Sequence, residues 1–75
     1  MSKNSLGNIP RFVVFCLEAY KQRHKLTGAE AVDIFARYGV TGYLQDGYDV
    51  LHTLGESALV DDLDDYLQRR KNPLS

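Results

Sequence analysis

Thr27-Gly28-Ala29-Glu30-Ala31-Val32-Asp33-Ile34-Phe35-Ala36-Arg37-Tyr38-Gly39 is the best-punctuated stretch of the chain, and its punctuation is that of an α-helix. A threonine followed three residues later by a glutamate has capping-box spacing. The hydroxyl can accept from an orphan backbone N–H at the helix start, and the carboxylate can reach back to the threonine N–H. Ala31, Val32, Phe35 and Tyr38 recur at helical intervals and predict the buried stripe. Gly39 supplies the left-handed residue that ends such a helix.

Upstream, Asn8 is placed to cap a helix over 9–25, with Pro10 in its first turn, where a missing N–H is no loss. Ile9, Phe12, Val13, Cys16, Leu17 and Tyr20 form its stripe, and residues 1–8 read as a frayed terminus. Val14, Phe15 and Ala19 widen the stripe until little polar face remains. Such a helix is central in a bundle or apposed to a second surface.

Downstream, a third helix is predicted over 41–54. Val40, Leu44, Leu51 and Leu54 set its core face, with Tyr43 and Val50 flanking. Gly47 in its middle costs about 1 kcal/mol relative to alanine. It predicts close packing or a break into two short helices. A fourth helix over 57–71 carries Leu59, Val60, Leu63, Tyr66 and Leu67. Its aspartates lie in the N-terminal half and Arg69, Arg70 and Lys71 in the last turn, as the helix dipole favours. Asn72-Pro73 stops it, leaving 72–75 as a tail. The expected fold is therefore all-α, a compact bundle of about four short helices in one domain over 9–71.

With 75 residues and one cysteine, the chain can form no internal disulfide and is near the lower size limit for a self-sufficient core. Its longest apolar run, 12–17, falls well below the roughly 18 residues of a membrane span. A cytoplasmic protein without membrane contact is expected. The net charge of −1 gives no general attraction to nucleic acid.

No residue pattern points to catalysis. Cys16 sits in the most apolar segment, which disfavours its thiolate. His24 is eight residues further along the same helix, roughly 12 Å at 1.5 Å per residue, too far to act as its base. Asp49 and His52, three apart and flanked by Tyr48, would share a helix face. That pair could orient a base or supply half a metal site, but no further ligands fall in a recognisable spacing. A local hydrogen bond fixing a turn is the simpler account. The cluster Asp61, Asp62, Asp64 and Asp65 lacks the glycine and terminal glutamate of a calcium loop. It reads as a solvated helix face. Asp61, Asp62 and Asp65 are the candidates for an acidic contact surface toward a basic partner, with Tyr48, Asp49 and His52 beside them as candidate partner-binding residues.

Phe35, Gly39 and Val40 also fall where a helix-turn-helix has a small residue, a glycine and an apolar residue. Phe35 is too large for its place, and Gln45 stands where an apolar residue belongs. The reading helix, 42–52, would carry Asp46 and Asp49 and no Lys or Arg. Phosphate attraction dominates DNA affinity, so binding to nucleic acid is not expected.

Phe12-Val-Val-Phe-Cys-Leu-Glu-Ala-Tyr20, Leu26-Thr-Gly-Ala-Glu30, Phe35-Ala-Arg-Tyr-Gly-Val40 and above all Tyr48-Asp-Val-Leu-His-Thr-Leu-Gly55 resemble a bacterial family of short proteins known only as a domain of unknown function. The resemblance spans about residues 9–70. It implies a genomic neighbour, an ADP-ribosyltransferase-like protein, in a toxin–antitoxin or related two-component arrangement. It transfers no catalytic residue and no cofactor, and Leu54 stands where it implies a polar residue. The expectation is a non-enzymatic protein-interaction module, antitoxin-like, whose partner is the neighbouring gene product. A nucleic-acid-binding regulator and a structural homo-oligomer are the alternatives, and a homodimer is compatible with the apolar first helix.

Overall fold

The computed structural model describes residues 2–71, with side chains from Ile9 onward. The described residues form five helices and no strand: α1 Ser2–His24, α2 Gly28–Arg37, α3 Val40–Asp46, α4 Tyr48–Leu51 and α5 Glu56–Lys71. The tail 72–75, with its Asn72-Pro73 stop, lies outside them.

The capping box forms as its spacing predicts. Glu30 N–H donates to Thr27 Oγ1 at 3.1 Å, and Thr27 N–H donates to Glu30 Oε1 at 2.9 Å. Gly39 adopts φ 64 and ends the helix, with Tyr38 N–H donating to Ile34 O at 3.1 Å. Ala31 and Phe35 are buried, Tyr38 half-buried, but Val32 is 53% exposed. Ile34 packs on the core in its place. The reason is angular: 31, 34, 35 and 38 repeat on one face, and 32 is turned about 100° away from 31.

The first helix starts at Ser2 rather than after Asn8, so Asn8 is not its cap. Pro10 is inside the helix, where its ring removes one backbone hydrogen bond and the helix continues past it. At the other end Lys25 adopts φ 55. Leu26 N–H donates to Lys21 O at 2.9 Å and Lys25 N–H to Gln22 O at 3.3 Å, the two bonds of a Schellman stop. A lysine there carries the steric cost of a left-handed L-residue, about 1–2 kcal/mol. Lys25→Gly relieves it but loosens the unfolded chain, so a net gain of about 0.5–1 kcal/mol is expected in urea unfolding.

The third predicted helix is broken at Gly47, which caps both α3 and α4 with φ −99. A Cβ there would lie 2.9 Å from Leu51 Cδ1 and 3.4 Å from Tyr43 O. Leu51 folds back over the glycine into the core, which ties the break to the packing. Because α4 ends at Leu51, Leu54 falls in the following turn and is 36% exposed rather than buried.

Cys16, Ala19 and Tyr20 of α1, Phe35 of α2, Val40 and Leu44 of α3, Leu51 of α4 and Leu59, Val60, Leu63 and Leu67 of α5 make one continuous core. Helix α1 is central to it, packing on α5, α2 and α3. No described helix is long and apolar enough to cross a membrane.

Candidate functional site

The six residues singled out from the sequence divide between two regions. Tyr48 stands between α1 and α4. Its ring meets Phe12 edge-on at 5.3 Å and stacks on His52 at 4.5 Å, with planes 10° apart. His52 is exposed, and its Nδ1–H donates to Tyr48 O at 2.6 Å, leaving Nε2 toward solvent. Asp49 is exposed and is not hydrogen-bonded to His52; the turn-fixing bond runs from the ring to the backbone instead. What His52 shares with α4 is the stack on Tyr48, an aromatic pair rather than a carboxylate–imidazole pair. Among the described residues, no three His, Cys, Asp or Glu side chains gather closely enough to hold a metal ion.

The aspartates of α5 are engaged within the fold. Asp61 accepts from Arg23 Nη1 at 2.5 Å, and Asp64 accepts from the same nitrogen at 3.4 Å. Arg23 Nη2 also reaches Ser57 O and Oγ, both at 3.3 Å. His24 Nε2 lies 2.7 Å from Asp64 Oδ1. These contacts clamp the C-terminal end of α1 on the first half of α5. On the opposite flank Asp62 accepts from the Tyr43 hydroxyl, tying α3 to α5. Asp65 pairs with Arg69 at 3.2 Å one turn on. The acidic cluster thus makes helix–helix and intrahelical pairs, while Asp61 and Asp65 stay exposed.

Two other surfaces were not legible as sites. Across α1 and α2, a small groove of about 180 Å³ is lined by Val13, Leu17, Val32, Phe35, Ala36 and Thr41. Val14, 57% exposed, is an i,i+3 neighbour of Leu17 at its edge. Phe15, 45% exposed, adds to the apolar girth of α1. The breadth of the apolar stripe on α1 signalled this; the matching exposure of Val32 had no signal.

The second surface is an open cleft of about 530 Å³ between the α2–α3 corner and α5. Its floor holds the Tyr43 and Tyr66 rings, stacked at 4.1 Å. The Tyr66 hydroxyl donates to Tyr38 O at 2.9 Å, which fastens the corner to α5.

A family model described as "Protein of unknown function (DUF3791)" matches residues 11–70. The chain belongs to this family. No curated protein and no solved structure matches it. The match to DUF3791 runs from Arg11, near the middle of α1, almost to the end of α5. The apolar groove, the tyrosine-floored cleft and the Arg23 clamp are therefore all built from residues of the DUF3791 domain.

Burial sets the acid–base properties of its interior. Cys16, fully buried, has its thiol pKa pushed up to about 12 by desolvation. Tyr43 is raised to about 12 by desolvation first and by the hydrogen bond to Asp62 second. Tyr20 is raised by burial and then by the charge of Asp64. Unfolding returns these groups to ordinary values, near 9 for the thiol and 10 for the phenols. Above those values the unfolded chain releases protons that the folded one keeps. Their contribution is complete below about pH 9 and is lost progressively as pH rises toward 12. Urea midpoints should fall across that window. Cys16→Ala should flatten the decline from its beginning and Tyr43→Phe its upper part, whatever each does to stability at neutral pH.

Proposed function

We propose that this domain is a protein-interaction module that docks a partner polypeptide through the apolar groove between α1 and α2. The observation that carries the reading is the apolar groove lined by the exposed Val32, with the exposed Val14 one helical turn from its lining residue Leu17. Scattered exposed hydrophobics are ordinary, but grouped ones mark interaction surfaces. In the finer form of the reading, the domain is the antitoxin-like partner of an ADP-ribosyltransferase-like protein encoded beside it. That identity rests on the family resemblance alone. The role is binding rather than catalysis, since Cys16 is sealed in the core and the α5 carboxylates are engaged.

Action as a DNA-reading regulator fits less well. The segment that would lie in the groove is split into α3 and α4, and it carries Asp46 and Asp49 without a cation. The test is to coexpress the domain with the neighbouring gene's product and measure association of the purified pair, with duplex DNA in a parallel titration. A complex that Val14→Asp with Val32→Asp abolishes supports the reading. Salt-dependent DNA binding without such a complex replaces it with the regulator.

A further inference from the structure

The groove and the cleft meet at one corner of the fold. Ala36 and Thr41 line the apolar groove, and their chain neighbours Arg37 and Gly42 line the cleft. The α2–α3 corner is therefore a ridge a few residues wide with an apolar channel on one side and a polar one on the other.

The cleft is polarised along its length. The Tyr43 hydroxyl meets Asp62, and the Tyr66 hydroxyl meets Tyr38 O, so α5 runs from the middle of α3 toward the corner. Arg70 lies one turn beyond Tyr66, about 6 Å further in that direction. It joins Arg37 at the corner end. Asp46 lies seven residues after Gly39, about 10 Å away along α3, at the other end of the cleft. Arg37 and Arg70 thus stand at the corner end of the cleft, with the Asp33 carboxylate paired to Arg37, and Asp46 stands at the other end.

Arg70 is also uncommitted. Its guanidinium rests 4.9 Å from the Tyr66 ring centroid, and among the described residues it has no carboxylate within ion-pair distance. Its neighbour Arg69 pairs with Asp65, and Arg37 pairs with Asp33 at 3.0 Å in an exposed contact that a ligand can exchange at little cost. Gly42 leaves the wall open, since a Cβ there would meet nothing within 4 Å.

We propose that the Arg37–Arg70 end of the cleft receives the carboxylates of an extended partner segment whose adjoining apolar residues occupy the α1–α2 groove. This deepens the interaction-module reading and rests on it. The occupant is acidic polypeptide because the two guanidiniums at the corner outweigh the one Asp33 carboxylate and the surface continuous with them is apolar. Guanidinium forks favour bidentate carboxylates, and a free anion would gain nothing from the groove.

The test is an amide-resolved NMR titration of the isolated domain with hexaglutamate, repeated with hexalysine, with inorganic phosphate, and on the variant Arg37→Gln with Arg70→Gln. Hexaglutamate should move the signals of Arg37, Gly39, Gly42 and Arg70, and the double variant should weaken it about tenfold. Arg70→Gln alone, which leaves the Arg37–Asp33 pair in place, should give part of that loss and serves if the double variant is not folded. Shifts scattered over the surface, equal shifts with hexalysine, or binding unchanged in the variants would overturn the proposal. Equal affinity for phosphate at the same signals would replace it with a simple anion site. The probe does not need the apolar groove, so its failure leaves the interaction reading to be judged by Val14 and Val32 in the partner complex.

Discussion

Leu63→Ala should lower the unfolding free energy by about 2–5 kcal/mol, a large fraction of the stability of so short a domain. Leu63 is fully buried near the middle of α5, where that helix joins the common core. Truncation there loses the transfer energy of the side chain and leaves a cavity between helices already fixed by the Arg23 clamp and the Tyr66–Tyr38 bond. Domains have only about 5–15 kcal/mol in total, and one this short belongs at the lower end. Each kcal/mol lost should move the thermal midpoint by about 4–8 °C. Leu63→Met, which keeps volume, should cost less than about 1.5 kcal/mol. Removing the exposed Asp65–Arg69 pair should cost about 0–1 kcal/mol. Calorimetry on the three variants checks the order. A Leu63→Ala loss no larger than that of the surface pair would contradict the packing described here.

The second large effect concerns association and leaves the fold intact. Val14→Asp combined with Val32→Asp should weaken partner binding by about 2 kcal/mol or more, roughly thirtyfold, if the groove is the centre of the interface. Both side chains are more than half exposed, so the folded domain loses little packing. Each aspartate in a helix interior costs a few tenths of a kcal/mol in propensity. In the complex, by contrast, each carboxylate would be desolvated against an apolar partner. Unfolding midpoints close to wild type, together with lost binding, separate an interface effect from a folding defect.

Much of the fold could be read directly because its signals are local. The Thr27–Glu30 box, the Gly39 stop, the Gly47 break and the charge order of α5 each depend on residues within one or two turns. The start of α1 was misread because Asn8 and Pro10 imitate a helix beginning, whereas a proline can also be accommodated inside a helix held by its neighbours. Val32 and Leu54 were expected to be buried, and both errors are geometric. Val32 lies off the repeating face of α2, and Leu54 follows a helix shortened by Gly47. The site was less legible still. Arg23 with Asp61 and Tyr43 with Asp62 are distant in sequence, and nothing local pairs them. Without those partners the α5 aspartates look like an open acidic face. The face that remains available is defined by what its neighbours fail to cover, which periodicity alone does not reveal.

The most direct test of the proposed interaction is isothermal titration of the purified domain against its proposed partner, the protein encoded beside it, with wild type and the Val14→Asp, Val32→Asp variant run at matched concentration. Saturable heat with the wild type and about thirtyfold weaker binding by the folded variant is the predicted result. No heat of binding with the wild type, or equal affinity in the two proteins, would contradict the α1–α2 groove as the interface of this module.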